Sequence, residues 1–280
     1  MRLKIHSPRL ETSAGSSTAP QTALRGAFAA LFLTAWTTCA PAAVTTTNLP
    51  TSDAFVRAED PTRNYGGAGA LAVSGTASTN RLGVANGVFD TLMRFSLGDT
   101  VSNFNSVFGA GNWTLTAATL FLTENAAPNN DVYNRGVGAF RINWMTNDTW
   151  IEGSGNPSAP TGDGAVWDDL VALVPPGSTV PLGNYTNAGA NTRQAFALSL
   201  SDPGFLTDLM SGSDVGLFFD PIESGLGFTF NSRSFGTVSA RPMLTLTAVP
   251  EPGVDTMLAL GGAAAAAFGF RRAKRNHERV

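Results

Sequence analysis

The segment "TGDGAVWDD", residues 161–169, sets Asp168 beside Asp169, with Glu152 upstream. Two carboxylates hydrolyse a glycosidic bond when one serves as acid and the other as base or nucleophile across a fixed gap. Neighbours on a strand point to opposite faces, so this pair would not confront one another there. Other catalytic chemistry is scarce. The two histidines are His6 and His277 and the single cysteine is Cys39, all towards the chain ends. Residues 45–250 therefore hold neither imidazole nor thiol, which excludes Ser-His-Asp and Cys-His catalysis and His- or Cys-ligated zinc or iron from that stretch. One cysteine also forms no intrachain disulfide. The expectation is a protein that is not an enzyme.

Binding chemistry is better represented. Tyr133, Trp144, Trp150, Trp167 and Tyr185 lie in or beside turn-rich segments. An aromatic face stacks on the C–H face of a sugar while Asn and Asp at the rim, here Asn129, Asn130, Asp131 and Asn134, bond to hydroxyls. The commoner role of such rings is to fill a core, and both readings stay open. Arg94, on the apolar run "TLMRFSL", needs a carboxylate partner if buried, with Asp53 the candidate. For calcium, "NNDVYN" and "TGDGAVWDD" offer oxygens without the spacing of an EF-hand loop. No metal or cofactor is expected.

These side chains must be positioned by strands. "DAFVRA", "ALAVSG", "TLMRFSL", "WTLTAATLFLT", "GAFRINWM", "QAFALSL", "VGLFFD", "GFTFNS" and "RPMLTLTAV" alternate or cluster apolar residues at strand length. Connectors rich in Gly, Asn, Pro and Asp separate them, among them "EGSGNPSAPTGDG" and "VPPGSTVPLGNYTNAGAN". Only "DPGFLTDLM" reads as a helical turn, with Asp202 before Pro203. The pattern predicts an all-β fold, an antiparallel β-sandwich that is jelly-roll-like, over 43–248.

Charge is distributed unevenly. Residues 45–250 hold nine Arg, no Lys and 17 Asp and Glu, a net 9 − 17 = −8. An acidic body without a basic stripe argues against nucleic acid as a partner. The basic residues outside it flank two apolar runs. Arg25 precedes "GAFAALFLTAW", followed by Ala40 and Ala42 at the −3 and −1 positions of an A-x-A site. Residues 1–42 therefore read as a signal peptide with an extended n-region; a lipoprotein built on Cys39 is the alternative. At the other end, residues 256–270 are uncharged and span about 22 Å as a helix, short of the roughly 30 Å hydrocarbon core. Arg271, Arg272, Lys274 and Arg275 would hold that end on the cytoplasmic side.

Val249-Pro250-Glu251-Pro252, a short apolar helix over about 256–270 and the basic cluster at the end resemble the PEP-CTERM sorting signal of exported bacterial proteins. The resemblance covers 249–280. It implies an exosortase-type membrane transpeptidase as partner, transient association with the inner membrane, and an exopolysaccharide-producing Gram-negative host. A plain C-terminal membrane anchor is the alternative. The body resembles a second family, the DNRLRE-type domains, which overlap carbohydrate-binding modules. Asn64-Tyr65-Gly66, Arg94-Phe95, the stretch Trp144 to Trp150 and Arg241-Pro242 carry this likeness, whereas Ser232-Arg233-Ser234 lacks the acidic residue that often follows the arginine. It implies a β-sandwich attached to secreted polysaccharide-active or surface proteins. The resulting expectation is an exported, non-catalytic protein of the cell envelope or extracellular matrix that binds exopolysaccharide. A purely structural matrix protein and a carboxylate-dependent polysaccharide hydrolase or lyase are the alternatives.

Overall fold

The alternation of apolar and polar residues is realised as two antiparallel sheets. A computed structural model describes residues 42–80, 82–125, 136–187 and 192–251. The predicted Ala40 cleavage position, Tyr133, the Asn129–Asn134 rim, Pro252, the helix at 256–270 and the basic cluster lie outside the described residues.

The strands are β1 (Val44–Asn48), β2 (Ser52–Arg57), β3 (Ala70–Ser74), β4 (Phe89–Ser96), β5 (Trp113–Thr123), β6 (Ala139–Met145), β7 (Thr179–Thr186), β8 (Arg193–Leu198), β9 (Asp214–Pro221), β10 (Gly227–Asn231) and β11 (Met243–Pro250). One sheet runs β1-β11-β5-β8; the other runs β10-β3-β4-β9-β6-β7, with β2 also paired to β4. Every predicted run became a strand. Two further strands lie outside the predicted runs. β1, "VTTTN", pairs with β11. β7, "TVPLGNYT", accommodates Pro181 because it pairs on one side only and its register with β6 shifts between Ile142 and Asn143, opposite that proline.

The core lies between the sheets. On the narrow sheet Leu244 and Leu246 of β11 pair with Leu120 and Ala118 of β5, and Phe196 of β8 also faces Leu120, all pointing inwards. They meet Phe95, Phe140, Ile142, Leu217 and Phe219 from the wide sheet in one cluster. The ribbon of β3 and β10 joins β4 through a single pair, Ser74–Phe89. Phe228 stacks on Phe140 at 5.0 Å and Phe230 lies 5.8 Å from Phe219, which turns one face of the ribbon into the core.

The wide sheet is covered on its second face too, which explains why "TLMRFSL" is buried on both sides. The long β6–β7 connection, residues 146–178, folds back over it. Trp150 and Ala165, with Leu170 and Leu173 of the short helix α2 (Leu170–Leu173), pack on Ala54, Leu92, Met145 and Phe218 as a second cluster.

The helical turn predicted at "DPGFLTDLM" is α3 (Pro203–Ser211), where the Asp202 carboxylate accepts from the Phe205 N–H at 2.8 Å with Pro203 in the first turn. A second, longer helix was not anticipated: α1 (Gly98–Phe108). Its Ser, Asn, Thr and Val are indifferent helix formers and no side chain caps its start. Packing holds it instead, with Phe104 buried 5.0 Å from the Trp113 ring, and Val101 and Phe108 completing the apolar stripe. Among the described residues no helix is long and apolar enough to cross a membrane.

Candidate functional site

β2 lies beside β4 at a margin of the wide sheet, and the chain leaving it makes a turn at Asn64-Tyr65-Gly66. Asn64 is fully buried and uses its whole amide. Oδ1 accepts from the N–H groups of Gly66 (2.9 Å) and Gly155 (3.2 Å), and Nδ2 donates to the carbonyls of Glu152 (2.7 Å) and Ala165 (2.8 Å). The turn is thereby fastened to the β6–β7 connection. Gly66 is required by this approach, since a Cβ there would stand 2.0 Å from the Glu152 carbonyl oxygen. The clamp orients Tyr65, whose ring stacks on Phe55 at 4.6 Å with planes 11° apart, while its hydroxyl donates to Asp60 Oδ2 at 2.9 Å. Burial, and then Asp60, raise the phenol above its usual range, so it stays an O–H donor.

Next to this stack is a cavity of about 660 Å³. Phe55, Tyr65 and Phe89 line one side, and Ala68, Gly69, Ala70 and Ala72 leave another side open because none reaches past Cβ. Leu71 and Val73, which alternate with Ala70 and Ala72, stand opposite Phe230 and Phe228 and point to the other face of the strand. Polar groups enter from Asn125, Thr229, Arg57 and Asp60. Arg57 Nη1 donates to Asp60 Oδ2 at 2.8 Å, the guanidinium lies 5.3 Å over the Phe89 ring, and Glu59 stands 3.6 Å from Nε. Nε is buried and makes no hydrogen bond. Among the described lining residues Asp60 is the only carboxylate, and both Arg57 and Tyr65 hold it. The arrangement is suited to holding an amphipathic body; among the described lining residues there is no opposed pair of carboxylates.

The aromatics singled out in the sequence sit in separate surroundings. Trp150 is 4 % exposed, inside the second cluster, with the Arg94 guanidinium 5.5 Å over its ring. Trp144 donates from Nε1 to Asp208 at 2.8 Å and packs against Phe205 of α3; burial raises the Asp208 carboxyl, against that bond. Trp167 opens a single 3-10 turn, Trp167–Asp169, whose two aspartates are exposed. Tyr185 packs between Phe140 and Phe196, bonds to the Ala197 carbonyl, and is pushed up to about 12 by burial. A second cavity, about 560 Å³, includes Trp150 with Ser52, Arg94 and Glu152; of the four described aromatics none lines the first.

Arg94 does not pair with Asp53. Its Nε lies 3.4 Å from Asp214 on β9, Nη2 donates to Ser52 Oγ at 2.8 Å, and Nη1 reaches the carbonyls of Asp148 and Trp150. Asp53 stands opposite Met93 in the β2–β4 ladder, one residue out of step, so its side chain leaves on the other face. There Oδ2 accepts from the Arg233 N–H at 2.6 Å. Glu152 is held by the Arg233 guanidinium through both carboxylate oxygens, so the missing acidic neighbour of Arg233 is supplied from the β6–β7 connection.

Of the residues expected to form a sorting motif, Val249 and Pro250 extend β11, opposite Thr114 and Trp113, and the Glu251 N–H donates to the Asn112 carbonyl at 2.9 Å. Ala42 is exposed just before β1. Among the described residues no three Asp, Glu, His or Cys side chains converge as a metal site would need. Asp163, in one of the calcium-candidate segments, accepts from Ser154 and Thr161, which lower its carboxyl below the usual range. Sequence reading passed over Phe55, Phe89, Arg57 and Asp60 as site residues. The small-large alternation of "ALAVS" beside the Asn-Tyr-Gly turn was the available signal.

No family model matches this chain, and no curated protein matches it.

Proposed function

We propose that this is an exported, non-catalytic β-sandwich protein of the cell envelope or extracellular matrix that binds exopolysaccharide. In this reading its jelly-roll-like body is processed through the C-terminal sorting sequence by an exosortase-type transpeptidase. The observation that carries the binding role is the aromatic-lined cavity whose described lining also holds Asn125, Thr229, Arg57 and one carboxylate, Asp60, already engaged. Glu152, one of the carboxylates considered for hydrolysis, is likewise committed to Arg233.

The processing role rests on the tail sequence and is favoured by the way the sheet presents both ends. Val44 stands opposite Ala248, so a leader and a tail leave from neighbouring positions, beyond the core. The test is expression with a tag in the body in a host that carries the transpeptidase. Surface or medium material lacking Arg271 to Arg275 supports the reading. Intact protein that retains the basic tail in the medium overturns the processing part. Failure of the folded chain to bind the host's exopolysaccharide overturns the binding part and leaves a structural matrix protein.

A further inference from the structure

We infer that the cavity between the Phe55–Tyr65 stack and the small-residue face of β3 is a subsite for a neutral pyranose unit, with Asp60 accepting from and Arg57 donating to its hydroxyls. This rests on the polysaccharide-binding reading and adds to it the place, the residues and the class of sugar.

Size and lining agree first. About 660 Å³ falls within the range of small-ligand sites, and such sites pair an apolar lining with a few fixed polar groups. A pyranose matches that division, because its C–H face lies against rings while its hydroxyls need donors and acceptors at the edge. The β3 face leaves room: its cavity-side residues are Ala70 and Ala72, where Leu71 and Val73, opposite Phe230 and Phe228, fill the other side.

The polar groups narrow the class further. Arg57 and Asp60 both line the cavity, so a ligand there meets a donor and an acceptor side by side, already paired at 2.8 Å. A purely apolar occupant, such as an acyl chain, would bury that charged pair and offer it no polar partner. A uronate or sulfate fits poorly as well. The guanidinium is already matched by Asp60 at 2.8 Å and Glu59 at 3.6 Å, and the surrounding body carries the net −8 counted above. An anion would meet Asp60, and among the described lining residues the one cation, Arg57, is already paired with it. A hydroxyl both donates and accepts, and so can use Asp60 and Arg57 together without disturbing their pair.

Gly69 gives a clean test. It lines the cavity, its φ is not in the left-handed region, and a Cβ built there meets nothing within 4 Å. Gly69→Leu should therefore fold as the parent does and occupy the space. Full-chain protein is titrated calorimetrically with neutral gluco-, manno-, galacto- and N-acetylhexosamine oligosaccharides, and with oligouronates. Melting temperatures of all proteins are recorded alongside. The expected result is binding of at least one neutral series, weakened about tenfold or more by Gly69→Leu and by Asp60→Asn, with an unchanged melting temperature for Gly69→Leu. Neutral binding that survives Gly69→Leu unchanged overturns the assignment of the cavity while the binding role stands. Binding of oligouronates alone overturns the neutral class. No binding to any series, from folded protein, overturns both this inference and the binding role.

Discussion

Asn64 ties two segments of backbone through four hydrogen bonds in a fully buried position. Asn64→Ala leaves those backbone groups unpaired at about 1–3 kcal/mol each, so urea denaturation should show a loss of about 3 kcal/mol or more. The importance of this turn was legible in the Asn-Tyr-Gly signature, whereas the partners of Asn64, from 152 to 165, lie too far along the chain for any local pattern to indicate. The same limit applied to Arg94: its need for a carboxylate was readable, but choosing Asp214 over Asp53 takes the strand register. Two buried carboxyls set the pH response. Burial, with Asp220 close by, pushes Asp90 up to about 8; burial, with Glu152 adding and the Arg233 N–H opposing, pushes Asp53 up to about 7. Asp90 shares its face of the sheet with Asp220, which Asn143 bonds at 2.6 Å and Arg141 approaches at 3.7 Å. Raised carboxyls favour the folded state below their ordinary pKa near 4, and that contribution is lost as pH rises through about 7 and 8. Thermal melts should therefore show lower stability at pH 8 than at pH 5. Asp90→Asn should raise the pH 8 melting temperature by about 2 °C or more and flatten the profile; an unchanged slope would contradict the assignment.

The β6–β7 connection shows how much structure a Gly- and Pro-rich segment can carry at the level of the element. Its anchor is Trp150, seated on Leu92 and Ala54. Trp150→Ala should cost about 3–5 kcal/mol, and limited proteolysis should then cut between 146 and 178 before any strand is lost. A smaller effect is expected at α3. Asp202→Ala removes the cap on Phe205 and should lower stability by about 0.5–2 kcal/mol in chemical denaturation. α3 was legible because Asp and Pro mark a helix start chemically. α1 was not, because its start has no side-chain cap and its Phe104 gains its role only from Trp113 and the core behind it. Strands with alternating apolar residues were equally plain, whereas β1 and β7 follow from pairing partners found elsewhere in the chain.

For the whole molecule the decisive arrangement is that β11 runs through the middle of the narrow sheet, between β1 and β5, and ends at Val249 and Pro250, the first residues of the proposed sorting motif. A chain ended after Glu251 keeps every described pairing of β11 and should melt with the full-length protein. One ended after Thr247 loses Ala248 from the core and the pairs of Val249 and Pro250 with Thr114 and Trp113, and should melt lower in the same calorimetric comparison. The two ends also differ as mechanical handles. Tension on the tail runs along β11 and is resisted in shear by neighbours on both sides, with many ladder bonds loaded at once. Tension between the two ends peels β1 from β11 starting at the Val44–Ala248 pair, so that bonds open one after another. A molecule held by its tail and pulled through a bound polymer would thus withstand a drag that would unzip the same fold if it were strung between its two ends.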